Sequence, residues 1–254
     1  MVNMILSGCN GKMGRTITEL VKEDPDIKIV AGVDKFGAGT GDYPVFASLS
    51  DVKLSADVIV DFSNPKALTE NNMLEIAKER NYALVLCTTG YSEEELGKIL
   101  AASKDIAILR SANMSLGINL LMKLVREAAK VLSPEGFDTE IVEKHHNKKL
   151  DAPSGTAISL ADSINHALND EFEYKYDRHS ERKARDRKEI GISSVRGGNI
   201  VGEHEVIFAG TDEVIEFKHT AYSKAVFGKG AIAAAKFICG KEPRMYSMDD
   251  VIKF

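Results

Sequence analysis

The densest run of reactive side chains in the 254-residue chain is Glu143-Lys144-His145-His146-Asn147-Lys148-Lys149-Leu150-Asp151-Ala152-Pro153-Ser154-Gly155-Thr156. Imidazole titrates near neutrality and a crowded ammonium can be lowered toward it, so His145 and Lys149 form the natural proton-handling pair. Lys148 and Lys149 also supply positive charge for an anionic substrate. On a strand successive side chains alternate faces, so His145 and His146 look the same way only if the strand ends there. The stretch Pro153 to Thr156 precedes a helical spacing of Ala157, Leu160, Ala161, Ile164 and Leu168. Gly155 permits close approach, and the free N–H groups of that helix start can hold a carboxylate. Two adjacent histidines could ligate a metal, but no cysteine lies nearby and no histidine pair has i, i+4 spacing on a helix, so no metal is expected.

A second constellation is Gly8-Cys9-Asn10-Gly11-Lys12-Met13-Gly14, with G-x-x-G-x-x-G spacing, between the first apolar run and the first helical pattern. Glycines there let backbone N–H groups and a helix N-terminus approach a pyrophosphate where a side chain would clash. Asp34, twenty residues after Gly14, closes the second apolar run, where a carboxylate accepts hydrogen bonds from adenosine ribose hydroxyls. Lys35 beside it is either an exposed loop lysine or the partner of a 2′-phosphate, so NADH and NADPH both stand as coenzymes. Three more polar loops, Asp61–Pro65, Cys87–Gly90 and Ser111–Met114, close the next three apolar runs. Carboxyl ends of an open parallel sheet line the ligand crevice, so these loops are expected to face the cofactor. Ser63 and Pro65 also read as a helix start.

The elements that must position these residues are short. Met4–Ser7, Lys28–Val33, Asp57–Phe62, Tyr82–Leu86 and Ile106–Leu109 are apolar on consecutive positions, as strands buried on both faces are. Helical spacing separates them, as in Ile17, Leu20 and Val21, or Leu68, Met73, Leu74, Ile76 and Ala77, with Pro65 and a Ser92–Glu95 capping box at helix starts. This alternation predicts an α/β fold with a Rossmann-type, doubly wound parallel sheet.

After Asn113 the pattern changes. Ser115–Val131 reads as a helix, followed by strands Thr139–Lys144, Ile190–Val195, Ile200–Phe208 and Val214–His219. The turn Ala209-Gly210-Thr211-Asp212 makes the last two a hairpin. A second, α+β domain with a mixed, largely open sheet is expected, with boundaries of 1–113 plus 226–254 for the first domain and 114–225 for the second. Ile200, Val201, Val206, Ile207, Phe208, Val214, Ile215 and Phe217 offer more apolar surface than one helix layer obviously covers; a monomer core or an oligomer interface could use it. Residues 171–190 carry seven Lys/Arg against six Asp/Glu, which reads as a solvated, mobile loop, with a flap over an active site as the other reading. A helix returns over Gly230–Cys239, and the tail Met248–Phe254 is expected to add a last strand or docked end to the first domain.

Composition excludes several classes. With 33 Lys/Arg against 38 Asp/Glu the net charge is −5, and no whole-chain basic field points to nucleic acid or anionic lipid. No apolar run approaches the ~18 residues of a membrane span, and no basic stretch leads into a long apolar core as in a secretory signal. Cys9, Cys87 and Cys239 are odd in number and form no CxxC pair, which fits a reducing cytoplasm.

These motifs together resemble the 4-hydroxy-tetrahydrodipicolinate reductase (dihydrodipicolinate reductase) family of bacterial and plant lysine (diaminopimelate) biosynthesis. The resemblance runs through the glycine loop, Val60-Asp61-Phe62-Ser63, Thr88-Thr89-Gly90, Ala112-Asn113-Met114-Ser115-Leu116-Gly117, His145-His146 through Asp151-Ala152-Pro153-Ser154-Gly155-Thr156, Val195-Arg196-Gly197-Gly198 and Val201-Gly202-Glu203-His204. It implies a dinucleotide-binding domain built from both chain ends, a central substrate domain and a homotetramer joined through the central sheets. It implies hydride transfer from NADH or NADPH to C4 of an unsaturated cyclic imine dicarboxylate, then a proton to C3. By the same resemblance His145 falls on the proton donor/acceptor and Lys149 on the proton donor, while His146, Gly155 and Thr156 fall on substrate contacts. Gly8, Cys9, Asn10, Gly11, Lys12, Met13, Asp34, Lys35, Cys87, Thr88, Thr89, Ser111, Ala112, Asn113 and Met114 fall on cofactor contacts. Two departures stand out: Cys87 replaces a common glycine, placing a side chain near the nicotinamide, and Asp34-Lys35 replaces the more usual Glu–Arg pair. The competing readings are another amino-acid or imino-acid dehydrogenase of the same two-domain build, and a nicotinamide-nucleotide sensor without turnover.

Overall fold

Consecutive apolar residues on a strand point to opposite sides, so each short run in the N-terminal part needs cover on both faces. The computed structural model describes residues 1–36 and 41–252 and shows that cover. Its chain runs β1 (Val2–Ser7), α1 (Lys12–Lys22), β2 (Ile27–Val33), β3 (Val45–Phe46), β4 (Val58–Asp61), α2 (Ala67–Glu70), α3 (Met73–Arg80), β5 (Ala83–Leu86), α4 (Glu93–Ala102) and β6 (Ile108–Arg110). Next come α5 (Leu116–Leu132), β7 (Asp138–His145), α6 (Gly155–Ala167), β8 (Glu173–Lys175), β9 (Glu189–Arg196), β10 (Gly202–Ala209) and β11 (Val214–Ala221). The chain closes with α7 (Ala225–Ile238), β12 (Met245–Tyr246) and α8 (Met248–Val251). It divides into two compact units, Met1–Leu116 with Lys224–Phe254, and Gly117–Ser223.

The first unit holds a seven-stranded sheet in the order β12-β6-β5-β4-β1-β2-β3, with every pair parallel. This is the doubly wound sheet expected from the alternation. Met4, Leu6, Val58, Val60 and Val85 face a core layer shared with Ile17 of α1 and Ala231, Ala235 and Ile238 of α7. The interleaved Ile5, Ile59, Leu84 and Leu86 face the opposite layer with Met73, Ile76 and Ala77 of α3 and Ile99 of α4. The helical pattern from Leu68 to Ala77 is two helices, interrupted at Asn72, which takes a left-handed φ of 44°. The Ser92–Glu95 capping box is present at the start of α4. In the tail, the added strand is β12, ahead of the expected segment, and Met248 opens a helical turn instead; residues 253 and 254 lie outside the described part.

The second unit is a five-stranded mixed sheet, β11-β10-β7-β9-β8, in which β10 runs antiparallel to β7 and β11 while β7, β9 and β8 are parallel. The β10–β11 hairpin pairs Ala209 with Val214, as the turn residues predict. One face of the sheet, carrying Ile141, Ile190, Ile192, Val206 and Phe208, packs on Ile118, Leu121 and Val125 of α5 and Leu160, Ala161 and Ile164 of α6. Ile215 and Phe217 pack against the same cluster, so half of the suspected apolar surplus belongs to this helix-covered core.

The charged segment 171–190 is not simply a solvated loop. Tyr174 lies in β8, and Arg178 bridges Glu189 at 2.6 Å and Glu140 at 2.8 Å. Arg185 bonds Asp138 (2.8 Å), Glu140 (3.0 Å) and the carbonyls of Thr139 and Glu189. The arginines of this charged segment thus pair with the first residues of β7 and β9.

Candidate active site

In the first unit, β1 delivers its chain into the glycine loop with Gly8 at φ +77°, a left-handed conformation that costs L side chains dearly. A Cβ on Gly8 would stand 2.7 Å from the Phe62 carbonyl oxygen, and one on Gly14 would stand 2.3 Å from the Gly8 carbonyl oxygen. Glycine at both positions is therefore a condition of bringing α1, β1 and the β4 loop this close together. The Gly11 N–H donates to the Gly8 carbonyl at 3.1 Å, and Lys12 begins α1. Asp34, at the end of β2, accepts the Asn10 backbone N–H at 3.0 Å through one oxygen and the Phe36 N–H at 3.1 Å through the other.

A cleft of about 450 Å³ opens over this loop, and Gly8, Asn10, Gly11, Asp34 and Lys35 are among its lining residues. Arg15, Ser63 and Asn64 also line it. Arg15 had no role in the sequence reading, although it sits one residue past Gly14 on the first turn of α1; its Nε donates to the Asn10 carbonyl at 3.0 Å. The Lys35 ammonium pairs with Glu70 of α2 at 2.5 Å. A backbone cradle, an acidic acceptor at the β2 end and two cations at the same rim fit the pyrophosphate and ribose of a nicotinamide dinucleotide.

The other crevice loops are anchored by Asp61, whose side chain is buried. Ser63 Oγ donates to it at 2.5 Å, Thr88 Oγ1 at 2.6 Å and Tyr91 Oη at 3.4 Å. Ser63 thus serves Asp61, and the residue ahead of α2 is Lys66, not a hydroxyl cap. The 111–115 turn is closed locally, with Ser111 Oγ donating to the Asn113 carbonyl at 2.7 Å and the Ser115 N–H to Asn113 Oδ1 at 2.9 Å. The Cys87 side chain does not stand out into the crevice as the resemblance implied. It is folded into the core layer with Val85, Leu109 and Met114, and burial, then the Asp61 charge, pushes its thiol well above the ordinary value. Cys9 is likewise buried, its thiol pushed up to about 11 by burial and by Asp34.

In the second unit, β7 ends at His145, and strand alternation puts Glu143 and His145 on its helix-covered face. His146 follows outside the strand, so the strand ends at the point that lets both imidazoles serve one site. Glu143 is fully buried and has a partner in every direction. His145 Nδ1 lies 2.5 Å from its Oε2, Arg196 of β9 grips both oxygens at 2.8 and 2.7 Å, and the Ser154 N–H donates to Oε1 at 3.0 Å. Burial works to raise the Glu143 carboxyl, but Arg196, His145, Ser194 and Ser154 together hold it down at about 2.

Ser154 caps α6, accepting the Ala157 N–H at 3.2 Å, and its hydroxyl also meets His204 Nε2 at 2.9 Å. The expected apolar stripe Ala157, Leu160, Ala161 and Ile164 is buried behind that start, leaving Gly155 exposed, with open space where a Cβ would be. The loop between β7 and α6 contains a cis Ala152–Pro153 bond and carries Lys149, whose ammonium pairs with Asp151 at 2.9 Å. Arg196 Nη2 also donates to the Asp151 carbonyl at 2.6 Å. The second unit thus gathers His145, Lys149 and the α6 start around the buried Glu143 carboxylate and its half-buried partner Arg196.

Residues 2–114 match the family profile "Dihydrodipicolinate reductase, N-terminus", and residues 117–252 match "Dihydrodipicolinate reductase, C-terminus". The chain belongs to the dihydrodipicolinate reductase family. It is 54% identical over 253 residues to a 4-hydroxy-tetrahydrodipicolinate reductase of Caldanaerobacter subterraneus subsp. tengcongensis, covering 100% of this chain and 99% of that one. It is 47% identical to the enzyme of the same name from Clostridium novyi, with the same coverage. Among solved structures, a dipicolinate-bound dihydrodipicolinate reductase from Paenisporosarcina sp. TG-14 is similar over 100% of both chains, at 25% identity and a TM-score of 0.83. Membership makes the chain an NAD(P)H-dependent oxidoreductase.

Against that family background, three residues of the second unit had no role in the sequence reading: Glu143, Arg196 and His204. Glu143 stood in the reactive run, and its i, i+2 spacing from His145 was the available signal. Arg196 lies 53 residues from Glu143 in sequence, and only the β7–β9 register, which pairs His145 with Arg196, brings it in.

Proposed function

We infer that this chain reduces 4-hydroxy-tetrahydrodipicolinate to tetrahydrodipicolinate, with loss of the 4-hydroxyl as water, in the lysine (diaminopimelate) pathway. The observation that carries this reading is the identity of 54% to a protein of that name across the full chain. The cluster around His145 and Lys149 supports it chemically. The bound nicotinamide nucleotide, NADH or NADPH, supplies a hydride for C4.

In this reading the first unit holds the nucleotide: the Gly8–Met13 backbone faces the pyrophosphate, Asp34 the ribose and Lys35 a 2′-phosphate when one is present. Cys87, Thr88, Thr89, Ser111, Ala112, Asn113 and Met114 shape the nicotinamide end, Cys87 and Met114 through their backbones because their side chains lie in the core. In the second unit Lys149 and His145 manage the proton for C3. Hydride addition to a conjugated imine develops negative charge, and preorganised N–H donors and cations stabilise it. His146, Gly155 and Thr156 hold the dicarboxylate, with the α6 start as the anion-ready element. The dipicolinate in the structural relative is a ring dicarboxylate, which supports this substrate class.

We further propose that the enzyme is cytoplasmic and a homotetramer joined through the second sheet. Among the described residues no helix is long and apolar enough to cross a membrane. Ile207 and Val214 stand on the sheet face opposite the helices, among charged residues, which is the composition of a partly polar interface. The test is direct. Freshly made condensation product of pyruvate and aspartate semialdehyde is supplied with NADH, and then with NADPH, and absorbance of the reduced coenzyme is followed. Oxidation that depends on the condensation product is expected. Binding of coenzyme without oxidation supports a sensor, and oxidation only with an open-chain amino-acid or imino-acid substrate supports the dehydrogenase alternative.

A further inference from the structure

Two nitrogens of His145 could face the reacting centre, and the buried surroundings of the ring decide between them. We infer that Glu143 is the positioning residue of the proton-transfer site: clamped by Arg196, its carboxylate holds the His145 ring with Nδ1–H directed inward and leaves Nε2 for the chemistry. This rests on the assignment of His145 to proton handling made above and adds the group that prepares it.

The geometry leaves little freedom. An ionised carboxylate only accepts hydrogen bonds, so the ring nitrogen 2.5 Å from Glu143 Oε2 carries the hydrogen. Glu143 cannot turn to another partner, because the two Arg196 contacts and the Ser154 N–H occupy its remaining directions. Nε2 is therefore the nitrogen left to take up a second proton and pass it on. On its side stands Gly202 of β10, where a Cβ would come within 3.1 Å of Nε2. Glycine there keeps that edge of the ring open.

The charges facing the ring come from every neighbouring element. Glu143 shares its strand, Arg196 comes from β9, and Lys149 and Asp151 lie on the loop after β7. His204 of β10 packs edge-on with ring centroids 5.1 Å apart, and His219 of β11 lies opposite His204 in the sheet. Burial, then the charge of His145, pushes His204 down to about 3, and burial pushes His219 down as well, so these two rings stay neutral in the working range. Arg196 is neutralised by Glu143 itself, and Lys149 by Asp151. The carboxylate that touches the ring is thus the group that fixes which nitrogen points inward. In the proton step the Nε2–H bond breaks as the new C–H bond forms on the substrate, and the N–H electron pair stays on Nε2. Nδ1–H remains on Glu143, and solvent restores the proton.

The experiment compares kcat and KM of the wild type, Glu143→Gln, His145→Gln and the double variant, with NADH affinity, thermal melting and the His145 tautomer by nitrogen-15 NMR measured alongside. Glu143→Gln is expected to lower kcat by about tenfold or more, as loss of an orienting partner does. The loss is expected to fall on kcat rather than KM while NADH affinity stays within about twofold, because its first unit is untouched. The double variant is expected to be no slower than His145→Gln alone, because Glu143 acts through that ring. A Glu143→Gln enzyme with undiminished kcat, or losses that multiply in the double variant, overturns the inference. Should Glu143→Gln fail to fold, nitrogen-15 NMR of the histidines in the wild type decides instead: at alkaline pH the inference requires the Nδ1–H tautomer for His145, and an Nε2–H tautomer overturns it. A His145→Gln enzyme as fast as the wild type overturns the underlying assignment instead, and the tautomer measurement still reads the Glu143 contact by itself.

Discussion

The Asp34 carboxylate, at the end of β2, accepts the backbone N–H of Asn10 at 3.0 Å, which ties the glycine loop to that strand end. On the proposed placement of the coenzyme, the same negative charge disfavours a 2′-phosphate, whereas Lys35 and Arg15, which line the same cleft, favour one. Asp34→Asn keeps an acceptor and removes the charge, so the ratio of kcat/KM for NADPH to that for NADH is expected to rise by about tenfold, the effect of ~1.4 kcal/mol. An unchanged ratio in steady-state kinetics with both coenzymes would show that Asp34 does not face the ribose.

Gly14→Ala tests the cradle. The new Cβ would sit 2.3 Å from one backbone oxygen and 2.4 Å from the next, and neither can swing aside as a side chain would. Overpacking of this kind costs about 1–3 kcal/mol. A melting temperature lowered by several degrees, together with weakened NADH binding by fluorescence titration, is the expected result.

Acid sensitivity follows from the buried carboxylate of the second unit. Glu143 is held at about 2 in the fold against an ordinary value of 4.5. A depressed carboxylate contributes stability that is fully present above its unfolded value and is lost as pH falls toward its folded one. Stability to urea is therefore expected to decline between about pH 5 and pH 2 in the wild type. The decline is expected to be shallower in Glu143→Gln, which has no such proton to take up. Parallel declines in the two proteins would contradict this linkage.

Ser154 joins three groups: the α6 start, the Glu143 carboxylate through its N–H, and His204 through its hydroxyl. Ser154→Ala keeps the N–H but removes the helix cap and leaves His204 Nε2 buried without its partner. The cap alone is worth about 1 kcal/mol, and an unsatisfied buried nitrogen adds about 1–3 kcal/mol. Chemical denaturation should show a loss in the sum of these ranges, and a loss below about 0.5 kcal/mol would speak against the hydrogen bond to His204.

How much of this was legible in the sequence depended on the range over which each signal acts. The glycine spacing, Asp34 and the doubly buried strands are local patterns, and the structure forms them where they stand. Strands β3, β8 and β12 escaped because two or three residues carry no period, and pairing with a neighbour alone makes them strands. The Leu68–Ala77 pattern did not reveal its interruption, because asparagine at 72 is a modest signal for a left-handed residue. Charge balance in residues 171–190 does not say whether the partners are solvent or Glu140 and Asp138. Cys87 looked exposed to the crevice because its loop is, yet its side chain continues the inward alternation of Ala83 and Val85. Glu143 and Arg196 needed the sheet register, which no local pattern supplies.

The most direct measurement is NADH oxidation with the pyruvate–aspartate semialdehyde condensation product in wild type, His145→Gln and Lys149→Ala enzymes at matched concentration. The account predicts turnover by the wild type and a fall in kcat of roughly 10²-fold or more in each variant, as loss of a general acid brings, with NADH affinity retained. Wild-type kcat in both variants would contradict it.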